Sequence, residues 1–391
     1  MQRISILFLM LFTLLASAVH AQAIPDAKTP TYTEFSAAGA GTGAYQGTAC
    51  TSINSKGIIT GGYIFGNNVT GGFVRAAASP FTITEFGASD AGTGKNQGTF
   101  PFSINTAGTI AGMYSDDVTA YRGFVRAAAS PFTITDFDAP CAGTAGHRGS
   151  IPLSINTAGT ITGMCKDSND VHHGFVRTSK GVFTDFDVPG AGTTTTEGTN
   201  ALSINAGGVV AGSYKDANGL YHGFLRAKNG TITAAPIDAP GAGKYSGSGI
   251  KDLCCGGTYV MSINTAGVIT GTYTDTNGTY HGFVRAATAP FTITEFNVSG
   301  AGTAALEGTV GLSINTGGEI TGVYADSNGT FHGFVRAAAS PFTITTFDAP
   351  GAAGTGILHG TVAYSINAAG DIVGTYSDAN SVFHCFLRNP K

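Results

Sequence analysis

The chain has 391 residues, of which 11% are charged, and a formal net charge of −4 at pH 7. That balance offers no basic field to attract nucleic acid. With 58 Gly, 25 Phe, 14 Tyr and no Trp, the composition favours turns and strands over helices.

In chain order, the first element predicted is a secretory signal at residues 1–21. Arg3 precedes an apolar run over 4–16, and Ala18-Val19-His20-Ala21 supplies small residues at a cleavage point. Cleavage is expected after Ala21, with Ala23 as the alternative. The run is too short for a comfortable membrane span, and no other segment is apolar enough to cross a bilayer. The mature chain, 22–391, is expected to be a single domain, secreted or periplasmic, carrying about −5. Its six cysteines then sit in an oxidising compartment. Cys141 and Cys165 are near in sequence, Cys254 and Cys255 are adjacent, and a closed ring would bring Cys50 and Cys385 together. Spacing does not fix the connectivity.

The body of the chain is a sevenfold repeat. Ser-Ile-Asn begins at Ser52, Ser103, Ser154, Ser203, Ser262, Ser313 and Ser365, at spacings of 51, 51, 49, 59, 51 and 52 residues. A Phe-Val/Leu-Arg triplet ends at Arg75, Arg126, Arg177, Arg226, Arg285, Arg336 and Arg388, with the same spacings. A period of about 50 residues marks a repeat architecture whose units cannot bury a core alone. In the fifth unit, four extended runs are predicted over 258–264, 268–274, 280–285 and 291–296. Asp275-Thr276-Asn277-Gly278 turns the chain between the second and third, and Pro290 breaks it after the third. A Gly-rich loop from Gly300 to Thr303 leads to the next unit.

Four short antiparallel strands per unit predict a seven-bladed β-propeller with four-stranded blades. Phe283, Phe291 and Phe296 are the expected packing between units. The last unit stops after its third strand, while an orphan strand at 31–35 precedes the first. The N-terminal strand is therefore expected to complete the last blade and close the ring, removing an exposed edge. The longest spacing marks an insertion over 245–257.

His recurs before Gly-Phe or its equivalent, at His173, His222, His281, His332 and His384; Gly71 and Arg122 stand there in the first two units. Equivalent positions around a ring lie too far apart to bind one metal, so hydrogen bonds to Ser262- and Asp275-type residues are expected. The recurring arginines are expected to pair across strands: Arg285 with Glu295, Arg126 with Asp136, Arg177 with Asp185 and Arg75 with Glu85. The Asp-x-Asn-Gly turns at Asp216, Asp275 and Asp326 faintly resemble calcium loops. One Asp and one Asn per turn fall short of the six to eight oxygens calcium takes, so they read as hairpin turns and no cofactor is expected.

The loops between units vary: Lys95-Asn96-Gln97, His147-Arg148, Glu197, Lys244-Tyr245, Glu307 and His359. Variable loops on a constant frame present a binding surface, and these residues are the candidate site. No catalytic residue is identified. The sequence contains no nucleophile elbow with a credible triad, no phosphate loop and no His-Glu-x-x-His.

The unit Ser-Ile-Asn-x-x-Gly-x-Ile-x-Gly, followed by His-Gly-Phe-Val-Arg, resembles the HAF-type repeat of bacterial extracellular proteins over nearly the whole mature chain. It departs in having Gly where that family's namesake triplet has Ala, and Arg where an aromatic often follows. The resemblance implies export and a repeat fold, and carries no catalytic residue across. The function expected is a secreted binding or scaffold protein recognising an extracellular glycan, surface component or protein. The alternative is a polysaccharide lyase or glycoside hydrolase with its site at the central channel mouth.

Overall fold

The computed structural model of the protein describes residues 29–233, 236–244, 256–356 and 359–390. The signal expected at 1–21, the Cys254-Cys255 pair and most of the 245–257 insertion lie outside these residues. Every regular element described is a β-strand.

Each repeat begins with an antiparallel meander. In the fifth, Gly257–Ile263 pairs with Ile269–Thr274, which pairs with Tyr280–Arg285. A four-residue strand, Ile293–Phe296, is added to the outer side of Tyr280–Arg285. The same pattern recurs around the chain, except that the fourth repeat holds only the isolated bridges Gly223 to Ile237 and Arg226 to Ile232 in that outer place.

The expectation of a seven-bladed propeller with separate four-stranded blades is corrected by the hydrogen bonding. All 27 strands form one continuous sheet. Three strands from each repeat make a closed, mixed β-barrel of 21 strands, and six short strands are added to it. Neighbouring repeats are joined by parallel bridges, such as Tyr121 to Gly149 and Tyr280 to Gly308. The N-terminal strand Thr31–Phe35 pairs antiparallel with Phe383–Asn389, but it is one of the added strands. Closure is made by the bridge from Gly47 to Phe383. A glycine makes this approach possible at every junction. Gly47, Gly98 and Gly149 have φ of 114°, 115° and 131°, and a Cβ there would overlap the carbonyl oxygen of Phe383, Thr70 or Tyr121.

The Ser-Ile-Asn triplet supplies the second link between repeats. A β-bulge just before it shifts the register, as between Val260 and Ser262, and re-aims the following residues. Ser262 Oγ accepts from Ile314 N–H of the next repeat at 3.3 Å. Asn264 Nδ2 donates to the Asn315 carbonyl at 3.2 Å, while Asn264 Oδ1 accepts from Val268 N–H at 3.0 Å. The same bonds recur at every junction, so the triplet is conserved within the chain by the needs of assembly.

The core lies between repeats. Phe73, Phe124, Phe175, Phe283, Phe334 and Phe386 are fully buried at the same position of successive third strands. Each fourth-strand Phe meets the next of these edge to face, for example Phe296 against Phe334 at 5.9 Å and Phe35 against Phe73 at 6.3 Å. Each buried Phe contributes roughly 1.5–3 kcal/mol. Phe291, expected in this packing, is not part of it: it is 48% exposed, at φ 56° after a cis Ala289-Pro290 bond. Two disulfides tie the frame, Cys50 to Cys385 and Cys141 to Cys165. No helix among the described residues is long and apolar enough to cross a membrane.

Candidate binding cleft at the seam

The variable-loop residues fall in separate inter-repeat loops, and several are occupied in shaping them. Gln97 is buried and accepts from Gly94 N–H at 2.7 Å. Glu197 accepts from Thr194 N–H, and the buried Glu307 from Ala304 N–H, both at 2.9 Å. Asn96 holds a left-handed turn at φ 65°, next to exposed Lys95. His147 sits 2.8 Å from the Tyr121 hydroxyl, and burial followed by the charge of Lys166 holds its imidazole below the usual pKa. Arg148 and His359 each bury one ring or guanidinium nitrogen without a partner. Lys244 donates to the Asn218 carbonyl at 2.8 Å. Tyr245 lies outside the described residues.

The recurring histidines bind carboxylates. His332 Nδ1 lies 3.0 Å from Asp348 and its Nε2 3.6 Å from Asp326, with the ring stacked on Tyr324 at 4.9 Å. His222 is held likewise by Asp238 and Asp216. The expected Asp partner is therefore present, whereas Ser262 is turned to the next repeat. In the hairpin turns, Asp275 Oδ1 accepts from the N–H groups of Asn277 and Thr279 at 2.8 and 2.9 Å, which organises the turn from within. No group of three or more His, Cys, Asp or Glu is placed to hold a metal ion among the described residues.

The arginines depart from expectation. Strand register sets Arg285 opposite Ile293 and puts Phe283 opposite Glu295; Arg75 and Arg126 likewise face Ile83 and Ile134. Glu295 accepts instead from the Tyr273 hydroxyl and Asn297 Nδ2. The guanidinium groups turn onto aromatic rings. Arg126 stands 4.8 Å from the Phe86 ring centroid and 4.7 Å from that of Phe132; Arg336 is 5.2 and 4.6 Å from Phe296 and Phe342. Such cation–π contacts contribute roughly 0.5–2 kcal/mol each. They explain the exposed Phe of the Ser-Pro-Phe loops: each is a lid over a buried arginine. Burial pushes the Arg75, Arg126 and Arg336 guanidinium groups below their ordinary pKa, yet arginine remains a cation.

At one junction this arrangement opens into a cleft. Between the last repeat and the first lies a cavity of about 360 Å³, lined by Thr33, Ile53, Lys56, Arg75, Phe81, Asp371, Leu387 and Asn389 among others. Arg75 is only 5% exposed, between Phe35 at 4.7 Å and Phe81 at 4.9 Å. Its guanidinium makes no hydrogen bond or ion pair among the described residues, as is also the case for Arg126 and Arg285; what sets Arg75 apart is that it lines the cavity. Asp371 accepts from Asn389 Nδ2 at 2.7 Å and from Asn367 Nδ2 at 3.0 Å, which fixes its carboxylate at the wall.

This cleft was not among the sequence-based candidates. Its signal was present as departures from the repeat. Lys56 stands where the other six repeats have Ala or Gly, and Asn389 where they have Ala or Thr. Asp371 shares its acidic character only with Glu319. Lys56 lies more than 300 residues from the other two in the chain and meets them only because the barrel closes.

No family model matches the chain, and no curated protein matches it. Among solved structures it is similar to a crystal structure of a mutant of AofleA from Arthrobotrys oligospora. Identity is 12%, with 73% of this chain and 77% of that one covered, at a TM-score of 0.40. That likeness is too distant to carry a functional reading.

Proposed function

We propose that the protein is a secreted binding scaffold that recognises an extracellular glycan through the seam cleft. The observation that carries this reading is the gathering of the repeat's departures, Lys56, Asp371 and Asn389, around the unpartnered guanidinium of Arg75. A repeat that varies at one junction has a reason local to that junction. A cleft with an aromatic wall and a few convergent polar groups is the usual form of a small-ligand site. The exposed face of Phe81 suits the C–H face of a sugar ring, and Arg75, Asn389 and Asp371 offer donors and an acceptor for its oxygens. Two disulfides support an oxidising compartment, in keeping with the signal expected at 1–21 and the HAF-type resemblance of the repeat.

The test is incubation of the mature chain, from Gln22, with a panel of polysaccharides, scoring retention and released products together. Retention without products, weakened by Phe81→Ala, is expected. Release of shortened products would replace this reading with that of a polysaccharide-active enzyme.

A further inference from the structure

We infer that the seam cleft selects an acidic sugar, a hexuronate unit whose carboxylate is taken by Arg75 and Lys56 while its hydroxyls meet Asp371 and Asn389. The inference rests on the reading of the cleft as a glycan-binding site and adds the ligand's charge.

The argument starts from the arginine. A guanidinium sandwiched between Phe35 and Phe81 has both π faces covered, so only its edge can make polar contacts. That edge presents N–H donors in one plane, the geometry that a carboxylate matches with two parallel hydrogen bonds. Arg75 is nearly withdrawn from water and has no carboxylate partner of its own among the described residues. A buried cation without a counter-charge is costly, and an incoming anion would relieve that cost.

The second charge is particular to this junction. Lys56 lines the same cavity on the first repeat's turn, where the other repeats carry no side-chain charge. In the same cavity, both oxygens of Asp371 accept from asparagine amides and retain lone pairs for hydroxyl donors. A ligand that satisfies this cleft carries an anion, hydroxyls and an apolar face for Phe81. A hexuronate has all three. A simple anion leaves Asp371 and Phe81 unused, and a neutral sugar leaves Arg75 and Lys56 unneutralised.

The experiment is calorimetric titration of the mature protein with trigalacturonate, with its methyl-esterified neutral counterpart, and with a poly-glutamate of similar charge. One-to-one binding of trigalacturonate is expected, with the ester roughly tenfold weaker or worse. Lys56→Gln should weaken the acid roughly three- to tenfold and leave the ester unchanged. Arg75→Lys should abolish the preference for the acid. Arg126→Lys, which alters the corresponding sandwich one repeat on, should leave both titrations unchanged and controls for lost packing. Equal binding of acid and ester, insensitive to Lys56→Gln, would overturn the acidic selection while leaving glycan binding in place. Binding of poly-glutamate but not trigalacturonate would overturn the sugar. Retention of no polysaccharide at all, acidic or neutral, would overturn the binding reading beneath it.

Discussion

Asn367 Nδ2 donates to the main-chain carbonyl of Asn54 at 3.2 Å, across 313 residues of sequence. It is the seventh bond of a closed circuit: Asn54 donates to Asn105, Asn105 to Asn156, Asn156 to Asn205, Asn205 to Asn264, Asn264 to Asn315 and Asn315 to Asn367. Each asparagine holds its own turn through Oδ1 and the next repeat through Nδ2. The circuit explains why the most regular word in the sequence ends in Asn.

Because both ends of each amide are used, one truncation leaves several buried groups unpaired. Asn264→Ala is expected to cost about 2–4 kcal/mol, through the orphaned Asn315 carbonyl and the Val268 N–H. Equilibrium urea denaturation checks this. A loss below 0.5 kcal/mol would show that water replaces the circuit.

The disulfide from Cys50 to Cys385 spans 335 residues and crosses the junction where the barrel closes. Replacing both cysteines by serine should lower stability by about 2–5 kcal/mol through the freed unfolded chain. The Cys141 to Cys165 bridge spans only 24 residues, and its loss should cost less. Thermal melts of the two double variants under identical conditions give the comparison.

Two histidines should bend the stability curve in opposite directions. His172 is buried against Asn200, at 2.8 Å from Nδ1 to Oδ1; burial, then Lys166, hold its pKa down at about 4. The unfolded chain binds its proton first, so stability is complete above about pH 6.5 and falls as pH drops toward 4, by at most about 1.4 kcal/mol per pH unit. His172→Tyr, matching Tyr121, Tyr221 and Tyr280 at that position, should remove this loss. For His332, burial acts to lower the pKa, but the bond to Asp348 and the charges of Asp348 and Asp326 outweigh it and raise the value. Its contribution is complete below about pH 6.5 and is lost as pH rises through the raised value. Urea denaturation between pH 4 and 9 separates the two; a His332→Gln variant with unchanged pH dependence would remove the second.

Phe283 and Phe291 lie eight residues apart and should respond differently. Phe283 is fully buried, and Phe283→Ala is expected to cost about 3–5 kcal/mol. Phe291 is half exposed above Arg285, at 4.6 Å, and Phe291→Ala should cost about 0.5–2 kcal/mol, the range of a cation–π contact. Comparable losses in a thermal melt would contradict the exposed placement.

The strands were legible in sequence because their signals are local: alternation over 268–274, the Asp-x-Asn-Gly turns, and a period kept over seven units. Which strands share a sheet was not. Separate blades and a continuous barrel use the same four runs, and the difference is one parallel bridge per junction at residues such as Gly47 and Phe383. Only the neighbouring carbonyl shows that the glycine there is a point of close approach.

Side-chain partners followed the same division. His with a nearby Asp was readable from the hairpin that joins them. Arg285 with Glu295 was not, because a two-residue offset in register decides between an ion pair and a cation resting on Phe291. The sequence by itself determined an all-β repeat chain, its turns and two of the three expected packing Phe positions, Phe283 and Phe296 but not Phe291, since the strands and turns depend on neighbours within one unit. Tertiary structure alone decided how the barrel closes and where a site forms. Closure brings Lys56 and Arg75 of the first repeat against Asp371 and Asn389 of the last, and no local pattern reports a contact made only when the two ends of a ring meet.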